Sequence, residues 1–307
     1  MVLIDPPMQN DMFHHPFTKL LTIVFIMIAG FFVVFSLGFF LAIPIFDLSF
    51  NELSHLFASR DFSDRIHLVK YFQILQTLGL FVIPPFIIAR LYAEGTGRYL
   101  GFDSQPKIAS VSAVIVMIFV ALPFINFLSH LNQSIPFPES LESLENYLIN
   151  REEDARQMTS RFLSAENLQQ LMVNLFMVAV LPALGEELVF RGILQKLFAS
   201  WTRNIHWGIL IAAILFSAMH IQFYGFIPRL ALGILFGYLF FWSGSIWLPI
   251  TGHFVNNGSA VIFYYFVGNN SKLFAGDYNT MDTSTFMVIF SGVMIALCCY
   301  IVYLYEK

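Results

Sequence analysis

The stretch LMVNLFMVAVLPALGEELVFR, residues 171–191, is apolar for most of its length and then places two glutamates side by side, Glu186 and Glu187. The chain has 20 acidic residues, and the others lie in its polar loops and tails. A carboxylate at the centre of a membrane helix costs roughly 2.5–3.5 kcal/mol even on the lenient insertion scale. Ionisable groups at that depth are candidates for a functional site, and this pair is the first candidate in the chain.

The composition is that of an integral membrane protein. Hydrophobic residues make up 57% of the 307 residues, and charged residues only 12%, about half of the roughly 25% that is usual in soluble proteins. No run of Lys or Arg indicates a nucleic-acid partner. The two cysteines, Cys298 and Cys299, are neighbours in the last apolar segment, so they cannot link distant parts of the fold or form a Cys-based zinc motif.

The sequence predicts an all-α fold, a polytopic bundle of about eight transmembrane helices. An apolar segment of about 20 residues can cross a hydrocarbon core of about 30 Å as a helix. The predicted segments are Leu20–Phe46, Tyr71–Ala93, Ile108–Leu128, Leu171–Phe198, Trp207–Ile221, Phe226–Ser243, Ile246–Val267 and Phe286–Tyr305. We expect the fourth to be interrupted by Pro182, Gly185 and the two glutamates, and the fourth to seventh to enclose a cavity, because irregular or charged backbone at membrane depth must be surrounded by protein or water.

The predicted organisation is one structural unit with three sections. Residues 1–165 hold the amino-terminal membrane helices, 166–267 hold the core with the polar motifs, and 268–307 hold a loop and the final helix. Within residues 129–170, an acidic loop has leucines at helical spacing (Leu141, Leu144 and Leu148), which predicts an amphipathic helix against the bilayer or the bundle. Residues 1–19 lack the features of a signal peptide, and we expect the first apolar segment to be a retained anchor.

The polar residues of the core divide into two groups by their spacing. Glu187 and Arg191 are four residues apart, so they share a helix face in the favourable order and can neutralise each other. Glu186 is rotated by about 100° from Glu187 and points elsewhere. A desolvated glutamate without a partner can act as a general base near neutral pH. We therefore predict a structural role for Glu187 and Arg191 and a chemical role for Glu186.

Two later segments add histidines and an asparagine. The fifth ends with Phe216 and His220 on one face, and His253 and Asn257 share a face of the seventh. Taken singly, an intramembrane His or Asn is more often a hydrogen-bonding contact between helices than a reacting group. Their occurrence together with Glu186 favours a reaction or transport site. The histidines of tails and loops are interpreted as surface residues: His14, His15, His55, His67, His130 and His206.

These motifs resemble a known family. Glu186-Glu187-x-x-x-Arg191, Phe216-x-x-x-His220 and His253-x-x-x-Asn257 match, in order and spacing, the signature of the CPBP intramembrane proteases. That family includes the CAAX prenyl endopeptidases and the bacteriocin-processing or self-immunity proteins called Abi. The resemblance covers about residues 170–260. It implies peptide-bond hydrolysis in which Glu186 and His220 activate a water and His253 and Asn257 stabilise the oxyanion.

The resemblance also implies a partner and a location, and it leaves open whether the site binds a metal ion. The substrate would be a membrane peptide or protein, prenylated in the CAAX branch, and the protein a multi-pass one of the bacterial inner membrane. Some members are labelled metalloproteases, and Glu186, His220 and His253 would be the zinc ligands. We favour a glutamate mechanism without a cofactor, since His-Glu-x-x-His is absent. The alternatives are a proton- or ion-coupled carrier and an inactive member that acts as a scaffold or immunity protein.

Overall fold

The computed structural model describes residues 15–59, 62, 65–135, 137–267 and 284–307, and these ranges contain helices and no strand. His14, Pro136 and the predicted loop 268–283 lie outside the described residues. The helices in chain order are α1 (Pro16–Ile45), α2 (Phe50–Ser59), α3 (Ile66–Tyr92), α4 (Thr96–Leu100), α5 (Ile108–Val120), α6 (Leu122–Gln133), α7 (Glu142–Leu163), α8 (Leu168–Thr202), α9 (Ile205–Met219), α10 (Phe226–Ser243), α11 (Trp247–Val267) and α12 (Thr285–Glu306). Short 3₁₀ turns, Glu139–Leu141 and Phe223–Gly225, precede α7 and α10.

The predicted polytopic helical bundle is confirmed, although the number of clear spans is lower than eight. Among the described residues, five helices are long and apolar enough to cross a membrane: α1, α3, α8, α10 with its 3₁₀ turn, and α12. The pair α5 and α6, bent by 48°, would make a sixth. Helix α9 has only 15 residues, and α11 is long enough but carries His253, Asn256 and Asn257, which lower its hydropathy.

The predicted irregularity of the fourth segment takes the form of π-helical segments rather than a break in the helix. Helix α8 continues over 35 residues, and it accommodates Pro182 and the glutamates through two π-helical segments, Leu175–Val180 and Leu188–Leu194. A π-helical segment pairs residues i and i+5 and often occurs at functional sites. Pro182 has no N–H, so it removes the i→i−4 hydrogen bond that the carbonyl of Val178 would otherwise accept. The helix continues through this irregular series of backbone hydrogen bonds despite the missing bond.

Helix α8 lies at the centre of the bundle and α1 at its edge. In the most apolar window of each helix, 56% of the residues of α8 are buried inside the protein, against 6% for α1. Helix α8 packs against α11 along residues 175–187, against α3 along residues 181–187 and against α9 along residues 195–202. Helix α10 contacts both α9 and α11. The three helices that carry the polar motifs, α8, α9 and α11, therefore form one contiguous group with α10.

The peripheral helices leave apolar side chains unburied. Phe25 in α1 and Phe286 in α12 are 70% and 74% exposed, which suits helices that face lipid rather than water. On the inner side, α1 approaches α3 closely, because a Cβ at Gly30 would lie 2.6 Å from the carbonyl oxygen of Gly79. Small residues at such a crossing let two membrane helices pack backbone to backbone.

The predicted amphipathic helix in residues 129–170 is present as α7. Leu144 in α7 and Leu141 in the preceding 3₁₀ turn remain exposed within the chain, whereas Leu148 is partly buried. The carboxyl end of α7 is held by a bond between Ser160 Oγ and Tyr264 Oη of 2.9 Å. Asn174 Nδ2 also donates to the carbonyl oxygen of Leu163 at 3.0 Å. Cys298 and Cys299 are free thiols, as expected.

Candidate active site

The two glutamates lie where α8 passes closest to α3. Gly185 makes this contact possible, because a Cβ at that position would lie 2.7 Å from Cβ of Phe81. The side chain of Glu187 is fully buried, and that of Glu186 is 15% exposed. The adjacent carboxylates thus point in different directions, as their rotation about the helix axis predicts.

Glu187 and Arg191 form the ion pair that their spacing predicts. Arg191 Nη1 lies 2.8 Å from Glu187 Oε1, and both side chains are almost completely buried. Arg191 Nη2 also donates to the carbonyl oxygen of Gly233 at 3.1 Å, and the guanidinium lies 4.9 Å from the ring centroid of Phe216. Arg191 therefore links α8, α9 and α10.

The same carboxylate oxygen of Glu187 also binds His253, which the sequence analysis did not anticipate. His253 Nδ1 lies 2.7 Å from Glu187 Oε1. The imidazole is 5% exposed and stacks on the ring of Phe236 at a centroid distance of 5.8 Å. Two contacts thus fix the ring, and its second nitrogen, Nε2, faces Glu186 Oε2 at 3.9 Å. That distance is too long for a direct hydrogen bond.

Glu186 lacks a hydrogen bond to any described residue at one of its carboxylate oxygens. Its Oε2 atom is buried and has no hydrogen-bond partner among the described residues. The side chain interacts electrostatically with His253, Glu187, Arg191 and Arg229. A buried carboxylate oxygen without a donor is unusual and calls for a functional explanation.

His220 lies at the carboxyl end of α9 and its orientation is set by its own helix. Its Nδ1 atom lies 2.9 Å from the carbonyl oxygen of Phe216, so Nδ1 must carry the proton and Nε2 the lone pair of a neutral ring. The ring of Phe216 lies 5.2 Å from His220 and 6.0 Å from His253. Phe216 therefore contacts both imidazoles.

The residue after His220 has strained backbone. Ile221 adopts φ of +52°, which is rare for a β-branched residue. Its N–H bonds to the carbonyl oxygen of Ala218 at 3.0 Å, and it ends the α9 helix directly behind His220. Strained backbone of this kind often occurs at functional sites.

Asn257 is one turn after His253 and is held from both ends of its amide. Its Nδ2 donates to the carbonyl oxygen of Val178 at 3.0 Å, and its Oδ1 accepts from Asn256 Nδ2 at 3.0 Å. In an α-helix, the residue at position 182 would donate its N–H to the carbonyl oxygen of Val178, but Pro182 has no N–H. The Asn257 amide donates to this carbonyl oxygen instead. One N–H of the Asn257 amide group remains for another acceptor.

The structure thus brings Glu186, Glu187, Arg191 and His253 into one charged cluster. Phe216 connects that cluster to His220, and Asn257 adjoins it on α11. Within the described part of the chain, no hydrogen bond joins Glu186 directly to His220 or to Asn257. A water or a substrate group would have to bridge these side chains.

The sequence analysis missed two residues near this cluster, Arg229 and Glu152. The guanidinium of Arg229 bonds to the side-chain and backbone oxygens of Gln222, and it lies over Gly225, where a Cβ would be 2.5 Å from Nη1. Its charge acts on Glu186 and on His220. Arg229 lies three residues after the start of the sixth apolar segment. Like the two glutamates, it is an ionisable residue inside an apolar segment and therefore a candidate for a functional site.

Glu152 of α7 interacts electrostatically with this arginine. Burial raises the pKa of Glu152, while the charge of Arg229 and the backbone N–H of Tyr224 act in the opposite direction. Its Oε2 atom is buried without a hydrogen-bond partner in the described ranges. The amphipathic helix thus places an acidic side chain next to the loop that follows His220.

The residues do not form a zinc site in this structure. Catalytic zinc is usually held by three protein ligands, and two His with one Glu are a common set. Among the described residues, no group of three His, Cys, Asp or Glu side chains is arranged to hold a metal ion. The set Glu186, His220 and His253 therefore does not fit the metal here.

Comparisons with known proteins place the cluster in a family. Residues 168–259 match the family model described as Type II CAAX prenyl endopeptidase Rce1-like. The chain is also similar to a Bacillus subtilis (strain 168) protein named "Uncharacterized protein YpbD", with 30% identity over 86 residues, which are 27% of this chain and 41% of that protein. The chain thus spans about two fifths of the length of the curated relative it matches. No solved structure matches the chain.

The matched residues contain all three polar motifs, from Glu186 to Asn257, together with helices α9 and α10 that connect them. The segment from 168 to 259 is therefore similar to the type II CAAX prenyl endopeptidases of the Rce1-like kind, and this match supports the CPBP family.

Proposed function

We propose that the chain is an intramembrane endopeptidase in which Glu186 activates a water for hydrolysis of a peptide bond. The observation that carries the proposal is the buried Oε2 of Glu186, which has no hydrogen-bond partner among the described residues and faces His253 Nε2 at 3.9 Å. A carboxylate that is buried and has no hydrogen-bond donor beside it can accept a proton from a bound water. The family match supports the same class of reaction.

His220 would assist in positioning that water. With its Nδ1 proton directed at the carbonyl oxygen of Phe216, its Nε2 lone pair can accept a hydrogen bond from the water. His253 and Asn257 would face the carbonyl oxygen of the substrate. A donor aimed at the developing oxyanion contributes roughly 2.7–4 kcal/mol to lowering the barrier, and the Asn257 amide has one N–H available.

The substrate would be a membrane-embedded peptide or protein. The description of the matching family suggests a prenylated carboxyl-terminal peptide as the first substrate class to examine. The apolar helices that surround the site favour substrates that partition into lipid. The similarity to a Bacillus subtilis protein suggests the bacterial cytoplasmic membrane as the location.

The test compares the wild type with Glu186→Gln, which keeps the side-chain size and removes the base. Both proteins, purified in detergent, are incubated with a library of prenylated and unprenylated membrane peptides, and fragments are identified by mass spectrometry. Glu142→Gln, which alters an exposed acid of α7, is the matched control. We expect cleavage by the wild type and the control, and none by Glu186→Gln, with equal thermal stability of all three.

Two outcomes would contradict the proposal. Cleavage by Glu186→Gln at the wild-type rate would exclude Glu186 as the base. Absence of cleavage by a well-folded wild type would exclude peptidase activity on this library, and proton-coupled uptake in proteoliposomes would then test the carrier. Metal dependence is tested in the same assay, since retention of full activity after chelation would contradict a zinc mechanism.

A further inference from the structure

The carboxylate of Glu187 sits between two donors, and this arrangement determines where a proton lies. Glu187 Oε1 is 2.8 Å from Arg191 Nη1 and 2.7 Å from His253 Nδ1. Because an arginine stays protonated in proteins, its buried partner is the ionised carboxylate, which can only accept hydrogen bonds. The short contact with His253 therefore requires that Nδ1 of the imidazole carries a proton.

A proton on Nδ1 restricts what Nε2 of His253 can do. In a neutral ring with Nδ1 protonated, Nε2 has a lone pair and cannot donate a hydrogen bond. His253 can then stabilise an oxyanion only as an imidazolium, with protons on both nitrogens. Nε2 faces Glu186 Oε2 at 3.9 Å, so a carboxylate oxygen lies opposite the nitrogen that would need the second proton.

The charges of the cluster fit this state. Arg191, Glu187, His253 and Glu186 follow one another through the three distances of 2.8, 2.7 and 3.9 Å. With an imidazolium at His253, their charges alternate and cancel, which a water-poor interior requires because an uncompensated buried charge is costly. The other charged groups near the site are Arg229, which binds Gln222, and Glu152, which interacts electrostatically with Arg229.

We propose that Glu187 is a positioning residue for the reaction: it holds the proton on Nδ1 of His253, and its negative charge stabilises the imidazolium form, whose Nε2–H faces the oxyanion. This inference rests on the proposed peptidase function and assigns Glu187 a role beyond its ion pair with Arg191. Glu186 takes a proton from water as the new C–O bond forms, and the carbonyl oxygen becomes an oxyanion that accepts the Nε2–H bond. When the C–N bond breaks, the leaving amine takes the proton from Glu186.

The decisive variants separate this role from a structural one. Glu187→Gln removes the charge but leaves Arg191 buried without its partner, so it can lose stability for that reason alone. The double variant Glu187→Gln with Arg191→Met removes both charges together. A purely structural role predicts that the double variant regains stability and activity, whereas a positioning role predicts that it regains stability only.

We expect kcat of the double variant on a cleaved peptide to stay roughly 100-fold or more below that of the wild type, because loss of a carboxylate that orients a catalytic imidazole strongly lowers turnover. We expect KM to change little. Glu142→Gln, on an exposed part of α7, is the control for loss of a carboxylate. A double variant within threefold of wild-type kcat would overturn the proposal.

A spectroscopic readout makes the test independent of activity. Nitrogen chemical shifts of ¹⁵N-labelled histidine distinguish a protonated Nδ1 from a bare one, and His253→Asn identifies the signals of His253. We expect a protonated Nδ1 in the wild type and a changed tautomer in the double variant. A bare Nδ1 in the wild type would overturn the proposal even if no peptide were cleaved, whereas a protonated Nδ1 without cleavage would place the failure in the proposed function.

Discussion

Asn257 donates a hydrogen bond of 3.0 Å from its amide nitrogen to the carbonyl oxygen of Val178. Val178 lies in the first π-helical segment of α8, four residues before Pro182. A proline at that spacing cannot supply the N–H that an α-helix would direct at this carbonyl. The side chain of a second helix takes over, so Asn257 both holds α11 against α8 and keeps a second N–H for the site.

We predict that Asn257→Ala lowers both activity and stability. The loss of a donor to the oxyanion should reduce kcat by roughly 100-fold or more, and the unpaired Val178 carbonyl should cost about 1–3 kcal/mol in the free energy of unfolding. Peptide cleavage and thermal unfolding in detergent measure the two effects. In the control variant Asn256→Ala, the bond to Val178 is kept, and the loss of stability should be smaller. Wild-type kcat in Asn257→Ala would contradict the prediction.

Gly185→Ala should move the adjacent Glu186 and so impair the reaction. The new methyl group would lie 2.7 Å from Cβ of Phe81 and 3.2 Å from its backbone carbon, and the backbone of α3 cannot yield as a side chain can. We expect a loss of about 1–3 kcal/mol in stability and a clear fall in kcat. Gly258→Ala is the matched control, because its nearest neighbour, Cβ of Ala179, would be 3.7 Å away. Equal behaviour of both variants would show that the contact with Phe81 is unimportant.

Lys70 and Asn174 should stabilise the protein as a coupled pair. Lys70 is 5% exposed and its Nζ donates to Asn174 Oδ1 at 2.7 Å, while Asn174 Nδ2 donates to the carbonyl oxygens of Leu163 and Ser164 at 3.0 and 3.3 Å. The bond therefore orients the amide that holds the carboxyl end of α7. A charged hydrogen bond contributes about 1.5–3 kcal/mol.

A double-mutant cycle with Lys70→Met, Asn174→Leu and the double variant measures this coupling from thermal unfolding. We expect the effects of the single variants to exceed additivity by a coupling energy of about 1.5–3 kcal/mol. Hydrogen exchange of the last turns of α7 should increase in Asn174→Leu. Additive single effects would mean that the two side chains act independently.

The stability of the protein should fall as Glu152 ionises. Burial raises the pKa of this carboxyl above its usual value of 4.5, so the folded state holds the proton more tightly than the unfolded state does. The sign follows from linkage: the cost of the charge is absent below about pH 4.5, grows as the pH rises and is complete above the folded pKa.

Glu152→Gln should remove this cost. The difference in melting temperature between Glu152→Gln and the wild type should therefore increase from pH 4.5 to pH 8, whereas Glu142→Gln, on the same helix, should show no such trend. A difference that stays constant over this range would contradict the assignment of the raised pKa.

The part of the site that sequence reasoning predicted correctly is the local part. Glu187 and Arg191 pair because residues four apart on any helix face the same way, and the helical spacing of the leucines likewise predicted α7. The contact of Glu187 with His253 spans 66 residues of sequence. Spacing within one helix carries no information on which helix packs opposite, so this contact could not be predicted.

The number of clear spans is lower than predicted for a physical reason as well. Helix α8 tolerates its proline and two glutamates because α3, α9 and α11 surround it and Asn257 donates to the carbonyl oxygen of Val178. Helix α11 falls short of the hydropathy of a clear span because it carries the polar residues of the site. Length and composition therefore predict membrane spans least well for the helices that carry the residues of the candidate site.

The two π-helical segments of α8 have a consequence for its register. Each accommodates about one residue more than an α-helix would over the same turns, and one residue corresponds to a rotation of roughly 100° about the axis. The short α-helical stretch between them, Leu181–Glu187, is thus turned as a unit relative to the helix before and after it. Deleting a single residue from the first segment, Leu175–Val180, would change the direction of both carboxylates relative to the preceding part of α8 without altering Arg191 or His253. The geometry of the site therefore depends on the number of residues along α8 as well as on their identity.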